Sequence, residues 1–232
     1  MICIVMGIGF ALCVLVGWIR GLFKVVISMA GLIASLLAAA YIAPHVSGYL
    51  QEHTQIDEKI ALQVSEKLHF SDMSKETSKG IQVEVIQKLP LSDQIKEGIL
   101  NNNNSDMYKV LDVSGVYAYI AKSIAVIILN TGVFLCLALL CKIIFFLIGK
   151  AGGGFVKLPV VKWMDHLGGG ILGGLKGIVL IWILLLLLSV TSTSEWSRKC
   201  IQQVEQNAVL NFLYENNLLL DMVSDLNKVL FL

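Results

Sequence analysis

Long apolar runs alternate with polar stretches along this chain, and four of the runs are long enough to cross a lipid bilayer. The hydrocarbon core of a bilayer is about 30 Å thick and takes about 20 helical residues to span. The runs lie at residues 2–19, 25–43, 116–148 and 171–190. We therefore predict an all-α, polytopic membrane protein with four transmembrane helices.

The composition points to the same class. Of the 232 residues, 56% are hydrophobic and 15% are charged, whereas a soluble domain has about 25% charged residues. The formal net charge is +1. A nucleic acid partner is not expected, because phosphate binding needs a clustered basic face and the sequence shows none. The five cysteines follow no pairing pattern, so no disulfide framework is predicted.

The polar stretch between the second and third spans is predicted to be a helical insertion. Residues 45–114 carry seven Lys and eleven Asp or Glu. Pro44 precedes them and should end the second span, because proline lacks an N–H donor and its ring clashes with the preceding turn. The predicted parts of the chain are a helical hairpin at 1–43, the insertion at 44–115, the last two spans at 116–190 and amphipathic helices at 191–232.

Within the insertion, apolar residues recur at every fourth position and predict amphipathic helices. The predicted helical segments are 56–68, 81–89 and 92–100, followed by a loop at 101–105. After the fourth span a similar pattern extends to Val229. It predicts two short helices separated at Asn216 and Asn217.

Basic residues in the two short connections set the predicted orientation. Arg20 and Lys24 lie between the first two spans, and Lys150, Lys157 and Lys162 lie between the last two. Short loops rich in Lys and Arg remain in the cytoplasm. We therefore expect both connections inside the cell, and both termini, the insertion and the C-terminal helices outside the cytoplasm.

Small residues recur at helical spacing in the spans and predict close helix packing, because a face without Cβ atoms lets another backbone approach. Gly17 and Gly21 form one such motif, and Gly31 lies in a stripe of small residues on the second span. The glycines that open the fourth span are Gly168, Gly169, Gly170, Gly173, Gly174 and Gly177. The fourth span is therefore predicted to be a packing helix.

Three charged residues near the span ends are candidates for function. Arg20 is either a topology anchor or one half of an ion pair, for which Asp165 is the expected partner. Alternatively, Asp165 caps the fourth helix. Lys176 interrupts the fourth span, where its ammonium group either lines a polar path or reaches along its stem to the cytoplasmic face.

The order of these motifs resembles the CvpA (colicin V production protein) family of bacterial inner-membrane proteins. The residues that carry the resemblance are Gly17, Arg20, Gly21, Gly31, Ala34, Asp165, Gly168, Lys176 and Gly177. With the four spans, they cover nearly all of the chain. The resemblance implies a requirement for toxin (colicin V) production or export and a link to envelope integrity.

Two functions remain open from the sequence. A scaffold or assembly factor would use the glycine stripes and the outer helices to hold a partner. A channel or transporter for a small solute or ion would line a wet path with Arg20, Asp165 and Lys176, and would need a homo-oligomer because four spans are few for a pore. The expected partners are the lipid bilayer and either further copies of the chain or another membrane protein.

Chemistry is not expected. The four histidines do not fall at metal-ligand spacings, and no Ser, His and Asp set surrounds a nucleophile turn. We therefore predict that the protein is not an enzyme and uses no metal or other cofactor.

Overall fold

The computed structural model describes residues 2–70, 79–89, 91, 93–151 and 162–223. These residues form helices joined by short turns, and no strand occurs among them. In chain order, the helices are α1 (Ile2–Arg20), α2 (Leu22–His53), α3 (Ile56–Lys67), α4 (Lys79–Gln87), α5 (Asp93–Asn101), α6 (Ser105–Val110), α7 (Val116–Ala151), α8 (Lys162–Val190), α9 (Glu195–Glu205) and α10 (Ala208–Glu215). A further helical segment covers residues 218–223.

Four of the described helices, α1, α2, α7 and α8, are long and apolar enough to cross a membrane. This confirms the predicted all-α, polytopic fold. The fourth spanning helix begins at Lys162, well before the apolar run, so Asp165 and the first glycines of the stripe are helical too. The glycine-rich stretch and the apolar run therefore form one continuous helix.

The prediction that Pro44 ends the second span is wrong, because α2 continues through it to His53. A proline inside a helix removes one backbone hydrogen bond and costs about 3 kcal/mol. Packing around and beyond the proline offsets this cost. Ala43 is buried, and the Ser47 hydroxyl donates a hydrogen bond to the side-chain oxygen of Asn130. Tertiary contacts thus override the local preference at Pro44.

The insertion contains α3, α4 and α5 at the predicted helical segments, and it also contains α6, which the apolar pattern did not predict. Asn104, expected within a loop, caps α6 because its side chain accepts hydrogen bonds from the N–H groups of Asp106 and Met107. The parts of the insertion at residues 71–78, Pro90 and Ser92 lie outside the described residues.

The described part of the C-terminal region, which ends at residue 223, has one more break than predicted. The expected break at Asn216 and Asn217 is present, but a second one separates α9 from α10. Asn207 causes it, because its side-chain oxygen accepts a hydrogen bond from the Leu210 N–H at 3.1 Å and starts a new helix. The end of the predicted pattern at Val229, and residues 152–161 of the basic connection, lie outside the described residues.

The chain divides into two compact units, each built from segments that are far apart in sequence. The first unit consists of the described residues within Met1–Tyr41, Leu135–Leu185 and Gln202–Asn217. The second consists of those within Ile42–Phe134, Leu186–Ile201 and Leu218–Leu232. Each unit has its own buried apolar side chains, such as Met6 and Leu185 in the first and Ile120 and Val126 in the second.

A buried ion pair joins α3 to α7 in the second unit. Lys122 Nζ lies 2.6 Å from Asp57 Oδ2, and the two side chains are only 15% and 7% exposed. Close by in sequence on α7, the buried Tyr119 hydroxyl donates a hydrogen bond to the Ile99 carbonyl at 2.8 Å. These two contacts hold helices of the insertion on the first turns of α7.

Removing one member of this pair should destabilise the protein strongly. Asp57→Ala leaves the Lys122 ammonium buried without its partner, and an uncompensated buried charge costs about 3–5 kcal/mol. We expect a clear fall in the unfolding temperature of the purified protein in detergent. The double variant Asp57→Ala, Lys122→Met should recover much of the loss, because it removes both charges.

The matched control is Asp106→Ala. Asp106 forms an ion pair with Lys109 in which the side chains are 88% and 80% exposed. Exposed pairs contribute little to stability, so the unfolding temperature should hardly change. Equal effects of Asp57→Ala and Asp106→Ala would contradict a stabilising role for the buried pair.

Candidate functional site

The glycine stripe of α8 lies directly against the backbone of α1, and the two helices run antiparallel. Gly17 faces Gly169 and Gly173, whereas Gly177, further along α8, faces Phe10, which is nearer the start of α1. A Cβ added to Gly17 would lie 2.9 Å from the Cα of Gly173. Side chains almost never come so close to a backbone, so this contact needs glycine. We call Gly17, Gly169 and Gly173 the glycine seam.

The turn between α1 and α2 depends on Gly21 and Asp165. Gly21 has a φ of +80°, a conformation that favours glycine. A Cβ on Gly21 would also lie 2.7 Å from the Asp165 Cγ, so the space is taken as well. Asp165 Oδ1 accepts a hydrogen bond from the Leu22 N–H at 2.8 Å. Asp165 therefore caps the start of α2 instead of its own helix, and its charge favours that helix terminus.

His166 binds the other side of the same turn. Its Nδ1 donates a hydrogen bond to the Trp18 carbonyl at 2.6 Å, and the two rings stack with their centroids 6.2 Å apart. The last carbonyls of α1 have no partner within the helix, so this bond satisfies one of them. The apolar pattern does not single out His166. Its position beside Asp165, directly before the glycine stripe, is the signal that points to it.

The other predicted glycines differ in what surrounds them. A Cβ on Gly168 would lie 2.7 Å from the Leu22 Cδ1, which is the end of a flexible side chain. A Cβ on Gly177 would lie 3.0 Å from the Phe10 Cδ2. At Gly31, such a Cβ would meet no atom of another described segment within 4 Å. The close packing predicted from the small residues of α2 is therefore not found at Gly31 within the described chain.

The ion pair between Arg20 and Asp165, one of the alternatives raised by the sequence, does not form among the described residues. The physical reason is that the Asp165 carboxylate binds the backbone at the start of α2. The Arg20 side chain is exposed and lines a cleft instead.

This cleft brings together three basic residues of the first unit. Arg20, Lys24 and Lys176 line it together with Ser28 and several apolar side chains, and its volume is about 180 Å³. Lys176 Nζ donates a hydrogen bond to the Ser28 Oγ at 2.8 Å. We call the space lined by these four polar residues the basic cleft.

The Lys176 side chain points toward the basic end of the unit. Gly21 and Asp165 are in contact, so they mark the same level on α2 and α8. From that level, Ser28 lies about two helical turns along α2, whereas Lys176 lies about three turns along α8. The ammonium group therefore reaches back by about one turn, or about 5 Å. This is the direction expected for a lysine whose stem lies along the apolar helix and whose charge approaches the membrane surface.

Hydrogen bonds also join α8 to the C-terminal helices, and the sequence pattern did not predict them. Trp182 Nε1 donates to the Leu213 carbonyl, and Asn217 Nδ2 donates to the Trp182 carbonyl, both at 3.0 Å. Near the start of α1, Cys3 Sγ donates to the Gln203 carbonyl at 3.2 Å. Across the described residues, no group of three or more His, Cys, Asp or Glu side chains is placed to hold a metal ion.

A single methyl group should disturb the glycine seam. In Gly173→Ala the new Cβ would press on the Cys13 carbonyl oxygen and lie 3.1 Å from the Gly17 Cα, and overpacking of this kind costs about 1–3 kcal/mol. We expect a lower unfolding temperature in detergent, although alanine is the better helix former.

The matched control is the neighbouring Gly174→Ala. Its Cβ would lie 3.5 Å from the Phe10 Cζ, an ordinary van der Waals contact, and the gain in helix propensity is the same. This variant should keep or raise the stability. If both variants unfold at the same temperature, backbone contact at the seam is not what stabilises the pair.

Comparison with models of known protein families gives a match for this chain. The model of the family described as colicin V production protein matches residues 2–71 and 113–217, which is most of the chain and includes the glycine seam, Gly21 and Asp165. The unmatched residues 72–112 contain α4, α5 and α6. No curated protein and no solved structure matches the chain. The chain therefore belongs to the colicin V production protein family.

Proposed function

We propose that this protein is a scaffold or assembly factor of the bacterial inner membrane that acts in toxin (colicin V) production or export and in envelope homeostasis. The family assignment supports the process. The observation that carries the scaffold role is the glycine seam, where the backbones of α1 and α8 touch. Helices in such close backbone contact form a rigid pair, which suits a platform that holds a partner.

The surface of α1 supports a role in binding a partner. Of the residues of α1, only Met6 and Gly17 are buried within the described chain. Large apolar side chains such as Ile4, Leu15 and Ile19 remain exposed. We propose that lipid covers this surface and that a further copy of the chain or another membrane protein replaces part of that lipid.

We propose that the protein catalyses no reaction of its own. Asp165 and His166 are the acid and base that stand side by side in the candidate site. Both side chains bind the backbone of the α1–α2 turn, at Leu22 and Trp18. The proposal rests on this use of the two side chains, whose Oδ1 and Nδ1 atoms serve to hold the turn.

The proposed orientation places the end of the first unit that bears Arg20 and Lys24 in the cytoplasm. Short basic connections favour that side. The antiparallel packing of α1 on α8 supports placing the start of the first span and the end of the fourth on the same side of the membrane. The insertion and the C-terminal helices then lie outside the cytoplasm.

A fusion reporter tests this orientation. A reporter that is active only in the cytoplasm, attached after Leu232, should be silent, whereas one attached in the connection between α7 and α8 should be active. Strong activity of the C-terminal fusion would show that the orientation of the whole chain in the membrane is the opposite of the proposed one.

An oligomeric channel or transporter is the second candidate, because the basic cleft holds a half-buried lysine among apolar walls. The cleft of one chain holds about 180 Å³, which is below the range of about 300–1,000 Å³ typical of ligand pockets. A conducting path would therefore need several copies of the chain.

The two candidates differ in the oligomeric mass that they require in detergent and in the export activity that they predict for the Lys176→Met variant. As a scaffold, the protein should support toxin export in cells lacking the native copy, and Lys176→Met should retain that activity at an unchanged protein level. As a channel, the variant should lose activity because the charge lining the path is gone. Light scattering of the detergent-solubilised protein supplies the second measurement. A strict monomer excludes the channel, whereas loss of export by a stable, oligomeric Lys176→Met protein would overturn the scaffold.

A further inference from the structure

We propose that the basic cleft binds a phosphate group, which belongs either to the headgroup of an acidic phospholipid or to a soluble anion. Arg20, Lys24 and Lys176 come from three different helix segments and converge on one space. None of the described residues that line this space is acidic. The cleft is therefore positive and lacks its own counter-charge.

Lys122, near the start of α7, has an acidic partner of the kind that the basic cleft lacks. The Lys122 side chain, in the second unit, is only 15% exposed, and Asp57 neutralises it at 2.6 Å. No such ion pair within the described residues involves Arg20, Lys24 or Lys176. A cation held among apolar helices is costly without a partner, so an anion that enters the cleft would be stabilised there.

The surroundings of Lys176 strengthen this expectation. Its ammonium group donates to a neutral hydroxyl, that of Ser28. Two further positively charged side chains, those of Arg20 and Lys24, line the same space. Repulsion among like charges in an apolar setting favours the binding of an anion that all of them attract.

The size of the cleft selects the class of ligand. A volume of about 180 Å³ corresponds to about six water molecules at about 30 Å³ each. A phosphate group with part of a headgroup fits that space. Arginine binds phosphate through two parallel N–H groups, lysine binds it as a point charge, and a serine hydroxyl rotates to donate.

The position of the cleft suits a lipid. Arg20 and Lys24 lie at the end of the first span and the beginning of the second, where headgroups are found. Apolar residues of α1, including Leu12 and Val16, also line the cleft and are exposed. They offer a surface for an acyl chain next to the basic residues. Basic pockets between transmembrane helices bind acidic headgroups in this manner.

Native mass spectrometry of the full-length protein tests the proposal. The protein in mild detergent is mixed with phosphatidylglycerol in one sample and phosphatidylcholine in another, because only the first carries a net negative charge. We expect more phosphatidylglycerol to be retained per chain. In a third sample, inorganic phosphate alone is added and the unfolding temperature is measured.

The variants remove or keep individual charges. Lys24→Gln and Lys176→Gln should each weaken phosphatidylglycerol binding about tenfold, as expected for one lost charge-assisted hydrogen bond. Lys176→Arg keeps the charge and should restore binding. Lys199→Gln removes an exposed lysine of α9 that does not line the cleft, and should bind like the unmodified protein. Lys24 is exposed, so Lys24→Gln keeps the test valid even if Lys176→Gln does not fold.

The outcomes separate the two sources of phosphate. Preferential retention of phosphatidylglycerol, lost in the two glutamine variants, assigns the cleft to a lipid headgroup. Stabilisation by inorganic phosphate alone, with the same dependence on Lys24 and Lys176, assigns it to a soluble anion. If neither probe binds, or if the glutamine variants bind as well as Lys199→Gln, the proposal is wrong. None of these outcomes depends on the scaffold role, which has its own test.

Discussion

The contact between the backbones of α1 and α8 is the interaction on which the first unit depends. In lipid, apolar side chains gain little by meeting one another, because the surrounding acyl chains are equally apolar. Helices associate through van der Waals packing and hydrogen bonds instead. The glycine seam brings two backbones within reach of each other. Many weak dispersion contacts then add up where larger side chains would have kept the helices apart.

The seam also places the two residues that organise the α1–α2 turn. α8 enters the contact with Asp165 and His166 directly before its glycines, so both side chains arrive where α1 ends and α2 begins. One accepts from the first free N–H of α2 and the other donates to a free carbonyl of α1. Helix ends leave such groups without partners, and near a membrane this is costly. A tight turn at Gly21 is thus stabilised from a third helix.

The sequence predicted the spans well because the length and apolarity of a membrane helix are local properties. It also predicted that the start of α8 is a packing surface, since glycines at every fourth residue share one face. The partner of that face was not predictable, because spacing does not tell which helix lies on it. The same limit explains Gly31, where the spacing looks similar but an added Cβ would meet no atom of another described segment within 4 Å.

Long-range contacts account for the remaining differences. Pro44 lies inside a helix because Ala43 and Ser47 pack around it, and the Ser47 partner, Asn130, is distant in sequence. Arg20 and Asp165 share an end of the first unit, as predicted from the basic connections, yet the carboxylate binds a backbone N–H. Charge and position suggested the ion pair. The Leu22 N–H at the start of α2 has no partner in its own helix and binds the Asp165 carboxylate instead. This contact depends on the folded arrangement and cannot be predicted from the sequence.

The lysines of the spans show how the same residue type acquires different roles. Lys122 lies near the start of α7, where an acidic helix of the insertion supplies Asp57 and forms a buried pair. Lys176 lies on a glycine-rich helix where its hydrogen-bond partner is the Ser28 hydroxyl and the charged side chains that share its cleft are positive. The first arrangement is complete within the chain and is best explained as a structural contact. The second has no acidic partner among the described residues, and that difference is the reason why an anion is proposed as the ligand of the basic cleft.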